Sequence, residues 1–205
     1  MKNSIRNLVL ASLVLSFSEF AGAQTTVKLP VPDKSNKMTL MESLENRHSE
    51  RSFSDKQLTD VQLSSVLWAA CGINRPESGM ITAPSAMNRQ DVKVYVCRKD
   101  GVWLYLPKEN ALKQITSQDV RKLIAGSQDF VNAAPVVLLL TSNLENKEIG
   151  SLDAGYVSQN ICLACTALGL ATVPRASMDK EALHKALNLA KDEALIVNNP
   201  VGFSK

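Results

Sequence analysis

From residue 39 onward the apolar positions of this chain switch between helical and strand-like spacing. Leu40, Met41 and Leu44 share one helical face; Thr39 stands before them as N-cap with Glu42 three positions on, the capping-box arrangement. That helix is expected to stop near Arg47. Thr59 and Gln62 repeat the device ahead of Leu63, Val66, Leu67 and Ala70, and Gly72 closes the helix. Residues 75–87, with Pro76, Gly79 and Pro84, read as a functional loop. Residues 92–96 and 102–106 alternate around the turn Lys99-Asp100-Gly101, which predicts a hairpin. A short amphipathic helix is expected over 117–125 and a further turn over 129–133. Residues 135–141 are Val and Leu with no polar side chain before the end, as in a central strand buried on both faces. Residues 153–168 predict a long helix that is apolar nearly all round. It belongs either at the centre of the fold or in a subunit interface. A short extended piece over 170–173, a helix over 179–187 capped by Asp179, and a closing strand over 194–198 complete the pattern. Helices and strands are mixed, so the class is α+β, a sheet covered by helices.

The first residues follow a different rule. Lys2 and Arg6 give a positive start, residues 8–17 are apolar except for Ser12 and Ser16, and Ala21-Gly22-Ala23 supplies small residues. This is the pattern of a cleavable secretory signal over 1–23, which predicts an exported, periplasmic or secreted protein. The apolar run is too short to span a bilayer; an uncleaved anchor or a buried helix is the other reading. No Cys follows the small residues, so a lipid anchor is not indicated there. Residues 24–37, with Pro30 and Pro32, are expected to form an extended arm, and 38–205 the folded domain. At 45% hydrophobic and 21% charged residues the chain can bury a real core. The net charge of +3 is spread along the chain and does not point to nucleic acid.

The residue inventory removes most catalytic kits. There is no GxSxG, P-loop, GxGxxG or HExxH pattern. Only His48 and His184 could serve a hydrolytic triad, and neither has a nucleophile signature beside it. Four cysteines (Cys71, Cys97, Cys162 and Cys165) could pair in an exported protein, with the pairing left open. Cys162 and Cys165 lie one turn apart in mid-helix, where small buried hydrophobes are expected; a redox pair belongs at a helix N-terminus. If the chain is an enzyme, a cofactor carries the hard chemistry.

Two segments could hold one. Arg47-His48-Ser49-Glu50-Arg51-Ser52-Phe53 sets two guanidiniums, an imidazole and hydroxyls just after a helix. Arginines suit the oxygens of a phosphate, although basic residues also suit a solvated helix end. Pro84-Ser85-Ala86-Met87-Asn88-Arg89-Gln90 precedes a strand, at a sheet edge where ligands bind. Its Asn88 offers a donor and an acceptor to a heterocycle edge, or the segment is a plain turn.

Together these motifs resemble the nitroreductase-like family of FMN-dependent oxidoreductases. The resemblance rests on Arg47, His48, Ser49, Arg51 and Phe53; on Pro84, Ser85, Asn88 and Gln90; and on Asn132-Ala133-Ala134-Pro135-Val136-Val137. It continues through Asp153-Ala154-Gly155, Gln159-Asn160, Ala167 to Thr172 and Pro200-Val201-Gly202-Phe203, in the family's order. It implies a nitroreductase-like fold, with a mainly antiparallel sheet flanked by helices and a long buried central helix. It also implies a homodimer with two FMN sites, each built from both subunits. By position, Arg47, His48, Ser49 and Arg51 would hold the phosphate and ribityl chain, and Asn88 with Pro84 and Ser85 would meet the isoalloxazine ring. The stretch Pro174-Arg175-Ala176-Ser177 would pass near flavin N5. The family often has an acidic residue and Gly where Ala176 and Ser177 stand, and Lys205 is the one late cation for the phosphate. The implied activity is hydride transfer from a donor such as NAD(P)H to a nitroaromatic or quinone, with no side chain assigned as acid or base. Export leaves room for a non-nicotinamide donor, for a specialised dehydrogenase acting on a peptide or small molecule, or for flavin binding without catalysis. A thiol redox protein using Cys162 and Cys165 is a further alternative.

Overall fold

The computed structural model describes residues 25–143 and 145–205; the expected signal segment lies outside them. Seven strands form one sheet. They are β1 (Thr26–Lys28), β4 (Lys93–Arg98), β5 (Gly101–Leu106), β6 (Ala111–Thr116), β7 (Val136–Ser142), β8 (Ala171–Thr172) and β9 (Ala194–Gly202). Their order is β1-β6-β5-β4-β7-β9-β8, with every neighbouring pair antiparallel. A separate ribbon pairs β2 (Ile73–Arg75) with β3 (Met80–Ile81).

The pleat divides the core in two. On one face Val94, Val96, Trp103, Tyr105, Leu138 and Leu140 meet helix α2 (Asp60–Cys71) and helix α5 (Lys147–Ala167). On the other, Tyr95, Cys97, Val102, Val137 and Leu139 meet α3 (Arg121–Ala125), α4 (Phe130–Ala133) and α6 (Lys180–Ala186). Every residue of β7 is buried, as its run of Val and Leu predicts for a strand covered on both sides. The helices start where their caps stand. Thr39 caps α1 (Leu40–Asn46) and Thr59 caps α2, each in a complete capping box.

Three expectations change. The long helix begins at Lys147, not at Asp153, because the Asn146 side chain accepts from the N–H groups of Glu148 and Ile149. Asp153 is buried in the second turn. The helix is also one-sided: Asp153, Ala154, Val157, Ser158, Ile161, Cys162 and Cys165 are buried, while Leu152 and Tyr156 face outward. The arm is not merely extended, since β1 adds an edge strand to β6. Strand β6 itself goes beyond the predicted hairpin. Gly101, at φ +129, fits its first turn; a Cβ there would lie 2.2 Å from the Thr116 carbonyl oxygen.

Candidate functional site

The segment after α1 is stitched to two other parts of the chain by backbone hydrogen bonds. Glu50 N–H donates to the Thr172 carbonyl at 3.0 Å, Ser54 N–H to Phe203 at 2.9 Å, and Lys205 N–H to Ser52 at 3.2 Å. Glu50 tightens the turn by accepting from the N–H groups of Arg51 and Ser52, both at 2.7 Å. Those bonds, from Ser52 and then Arg51, hold its carboxyl below the usual range. Phe53 is buried beside Ala134, Ala171 and Phe130. Gly202 lets this joint close, because a Cβ there would sit 2.7 Å from Pro135 Cδ and 3.1 Å from Phe53 Cδ1. Pieces far apart in sequence therefore meet in one place: the Arg47 segment, the turn before β7, strand β8 and the C-terminal residues.

Among the described residues, Arg47, Arg51 and Lys205 make no ion pair. Arg47 is half-buried, and its charge partly offsets the burial that raises the Cys162 thiol of α5. Ser49 and Arg51 are exposed. His48 is set apart from these three: with Glu50, Thr172 and Ser204 it lines a cleft of ≈ 330 Å³ to which Arg47, Ser49 and Arg51 do not contribute. Its Nδ1 lies 2.9 Å from the Asn46 carbonyl oxygen, and the Thr172 hydroxyl is buried without a partner.

The loop before β4 is shaped by its backbone. Met87, Asn88 and Gln90 have φ of 51, 53 and 48, three left-handed residues in four, none of them glycine. Such conformations persist only where the surroundings impose them. Here the Asp153 carboxylate accepts the Ala86 N–H at 2.8 Å, and Ser85 Oγ accepts the Gln90 N–H at 2.7 Å. Pro84, Met87 and Asn88 are exposed and Ser85 is half-buried.

A third segment, Pro174 to Ser177, is fixed from below. Arg175 is 7% exposed and lies over Phe130 at 5.5 Å. Its guanidinium donates to Gln128 Oε1, Asn198 Oδ1 and the carbonyls of Ile124 and Ala125. Asn198 in turn donates to the carbonyls of Arg175 and Ser177. With Arg175 buried, Pro174, Ala176 and Ser177 are left at the surface.

A profile of the nitroreductase family matches residues 44–203. The chain belongs to the nitroreductase family. A candidate nitroreductase of Methanocaldococcus jannaschii is 30% identical over 195 residues, covering 86% of this chain and 96% of that protein. An NAD(P)H-dependent FMN reductase of Bacillus subtilis is 26% identical over 156 residues, or 66% of this chain and 53% of that enzyme. A crystal structure of a candidate nitroreductase from Ralstonia eutropha superimposes with a TM-score of 0.82 at 32% identity, covering 88% of this chain and 90% of that one.

In this member of the family, among the described residues, no hydrogen bond or ion pair joins the two sequence-marked segments. The 84–90 loop is hydrogen-bonded to α5 at Asp153, whereas the charge of Arg47 is felt further along the same helix, at Cys162. Nine residues of helix separate those points, about 14 Å. Lys205 and the Arg47 segment do come together, through Ser52. What holds the segments is not marked by residue type alone. The resemblance sets Arg175 with its neighbours beside the flavin, but its side chain is buried beneath them, and Asp153 lies inside the helix and not at its start. A lone carboxylate on an otherwise apolar helix face was the available signal for Asp153. The paired cysteines are free and buried; burial raises the Cys162 and Cys165 thiols, and for Cys162 Arg47 and Asn199 partly offset this. That suits packing better than thiol exchange.

Proposed function

We propose that this nitroreductase is an FMN-dependent oxidoreductase working as a homodimer, with each flavin shared between subunits. The observation that carries the reading is the set of unpaired cations, Arg47, Arg51 and Lys205, gathered by backbone hydrogen bonds around one exposed segment. Two guanidiniums, an ammonium and the Ser49 hydroxyl are a donor set suited to a dianionic phosphate, with His48 at its border. Pro84, Ser85 and Asn88 would support the ring, and the surface backbone of Pro174, Ala176 and Ser177 would run along its reactive edge. Bound FMN would supply hydride transfer between a donor and a small acceptor such as a quinone or nitroaromatic. The protein's part is to balance phosphate charge, orient the ring and limit access of water.

The separation of the half-sites along α5 supports the dimer. Leu152 and Tyr156, 58% and 40% exposed, lie on the outward strip of α5, and α1 beside it exposes Leu40 and Met41 at 63% and 72%. An apolar face of this kind needs a partner. A two-fold axis near the middle of the 153–162 span would set the 84–90 loop of one subunit beside Arg47 of the other.

The purified protein tests this directly. It should be yellow with a flavin spectrum, elute as a dimer, and bleach on addition of NADH or NADPH. A colourless protein that FMN does not stabilise would overturn the reading. The signal-like residues 1–23 favour a second reading, an exported enzyme supplied by a non-nicotinamide donor. A yellow protein reduced by dithionite but by neither nicotinamide would select it.

A further inference from the structure

Two side-chain amides sit together in the 84–90 loop, and hydrogen-bond chemistry fixes how each is turned. Gln90 Nε2 lies 3.2 Å from the Gly79 carbonyl oxygen and 2.9 Å from Asn88 Oδ1. A backbone carbonyl only accepts, so the Gln90 atom facing Gly79 is its NH2 nitrogen and not its oxygen. That nitrogen also faces Asn88 and brings its second N–H there. The Asn88 atom that meets it must then be the carbonyl oxygen. Asn88 is left with its NH2 group pointing away, and no acceptor among the described residues meets that group. Backbone geometry supports the same arrangement, since Asn88 N–H donates to the Ser85 carbonyl at 3.0 Å and the Ser85 hydroxyl accepts the Gln90 N–H.

We propose that Gln90 is a positioning residue that holds Asn88 donor-outward, so that the flavin edge meeting Asn88 is an acceptor edge, a ring carbonyl or unprotonated ring nitrogen, and not the ring N–H. The proposal rests on the flavin ring lying against Asn88, as set out under Proposed function. It narrows what Asn88 can do. An asparagine free to turn could serve either edge; one whose oxygen is occupied serves only acceptors. The Gly79 carbonyl, at the turn of the β2–β3 ribbon, is thereby the fixed end of a relay that reaches the ring through two amides.

The test exploits shape against polarity. Gln90→Glu keeps the shape of the side chain and replaces its donor with an acceptor, so Asn88 should turn its NH2 inward. FMN affinity should fall about tenfold, the loss of one hydrogen bond to a polar edge. In an Asn88→Ala background the same change should alter affinity by no more than about twofold, because its route to the ring is gone. Gln90→Lys, which only donates, should stay within about threefold of the parent. If Gln90→Glu is the best tolerated of the two, Gln90 acts by packing and the proposal fails. An equal loss in both backgrounds is a plain charge effect and also overturns it. Flavin-free protein gives a separate reading by NMR. The side-chain amide protons of Gln90 should exchange more slowly than those of Asn88, and the reverse order would refute the orientation. A parent protein that binds no FMN would refute the flavin reading instead, with the amide-proton order still deciding how Gln90 and Asn88 are turned.

Discussion

The two half-sites proposed along α5 are built in opposite ways. On the Arg47 side the backbone is tightly stitched, and the groups proposed to meet the ligand are long cations without ion pairs: Arg47, Arg51 and, through Ser52, Lys205. Near Asp153 the side chains are short and the backbone is unusual, with three left-handed residues held by one buried carboxylate and one hydroxyl. On the proposed reading, charge does the work at one half-site and conformation at the other. A phosphate can be gripped by flexible arms because its charge attracts from any angle. A planar ring with directional edges needs groups already turned the right way.

The comparison can be broken most forcefully at Arg175, which fixes the third segment from inside the core. Arg175→Leu leaves Gln128, Asn198 and two carbonyls without their donor. It should lower unfolding stability by about 3 kcal/mol, read as a shifted denaturant midpoint at unchanged slope. Arg47→Ala should leave stability of the flavin-free protein unchanged while weakening FMN by roughly ten- to a hundredfold, or about 1.5–3 kcal/mol. Unchanged affinity would place Arg47 outside the site and end the contrast. Asp153→Ala strands the Ala86 N–H and should cost about 1–2 kcal/mol of stability, with amide exchange rising in residues 84–90 and not in 47–54. Exchange rising equally in both segments would show that they are one unit.

Acid should also lower stability. Glu193, buried, is pushed up by that burial, but hydrogen bonds from Lys93, Thr141 and Tyr95 outweigh it and hold the carboxyl below its ordinary 4.5. A lowered folded-state value means that its contribution is present above the unfolded value and is lost as pH falls through the folded one. Stability should therefore be flat from neutrality to about pH 5 and then decline, with a shallower decline in Glu193→Gln. Glu50, whose carboxyl is likewise held down by the Ser52 and Arg51 N–H groups, should release its turn in the Arg47 segment over the same range. The smallest effect is expected from Met87→Gly. Relief of a left-handed residue is set against greater freedom in the unfolded chain, and stability should move by less than about 1 kcal/mol.

The sequence was most informative where one local rule decides the outcome. Thr39, Thr59 and Asp179 cap helices as their side chains predict, and the apolar run of β7 is buried throughout. It was least informative where distant partners decide. Strand β6 pairs with β5 and β1 although Lys113 and Gln114 blur its alternation. The start of α5 was hidden because Asn146 is a weaker visual signal than Asp153, whose real partner is the Ala86 N–H, 67 positions away. The site divides likewise. Arg47 and Asn88 stand out by residue type, whereas Gln90, Asp153 and Arg175 matter through what they hold, which only the fold reveals.

The rise of α5 between its two anchor points has a genetic consequence. If each site draws Arg47 from one subunit and Asn88 from the other, two differently damaged chains can repair each other. Mixing an Arg47→Ala chain with an Asn88→Ala chain would give hybrid dimers in which one site carries both lesions and the other carries none. Flavin binding would return at half of the hybrid's sites, although neither parent binds well alone. A site contained within a single chain could never show such complementation.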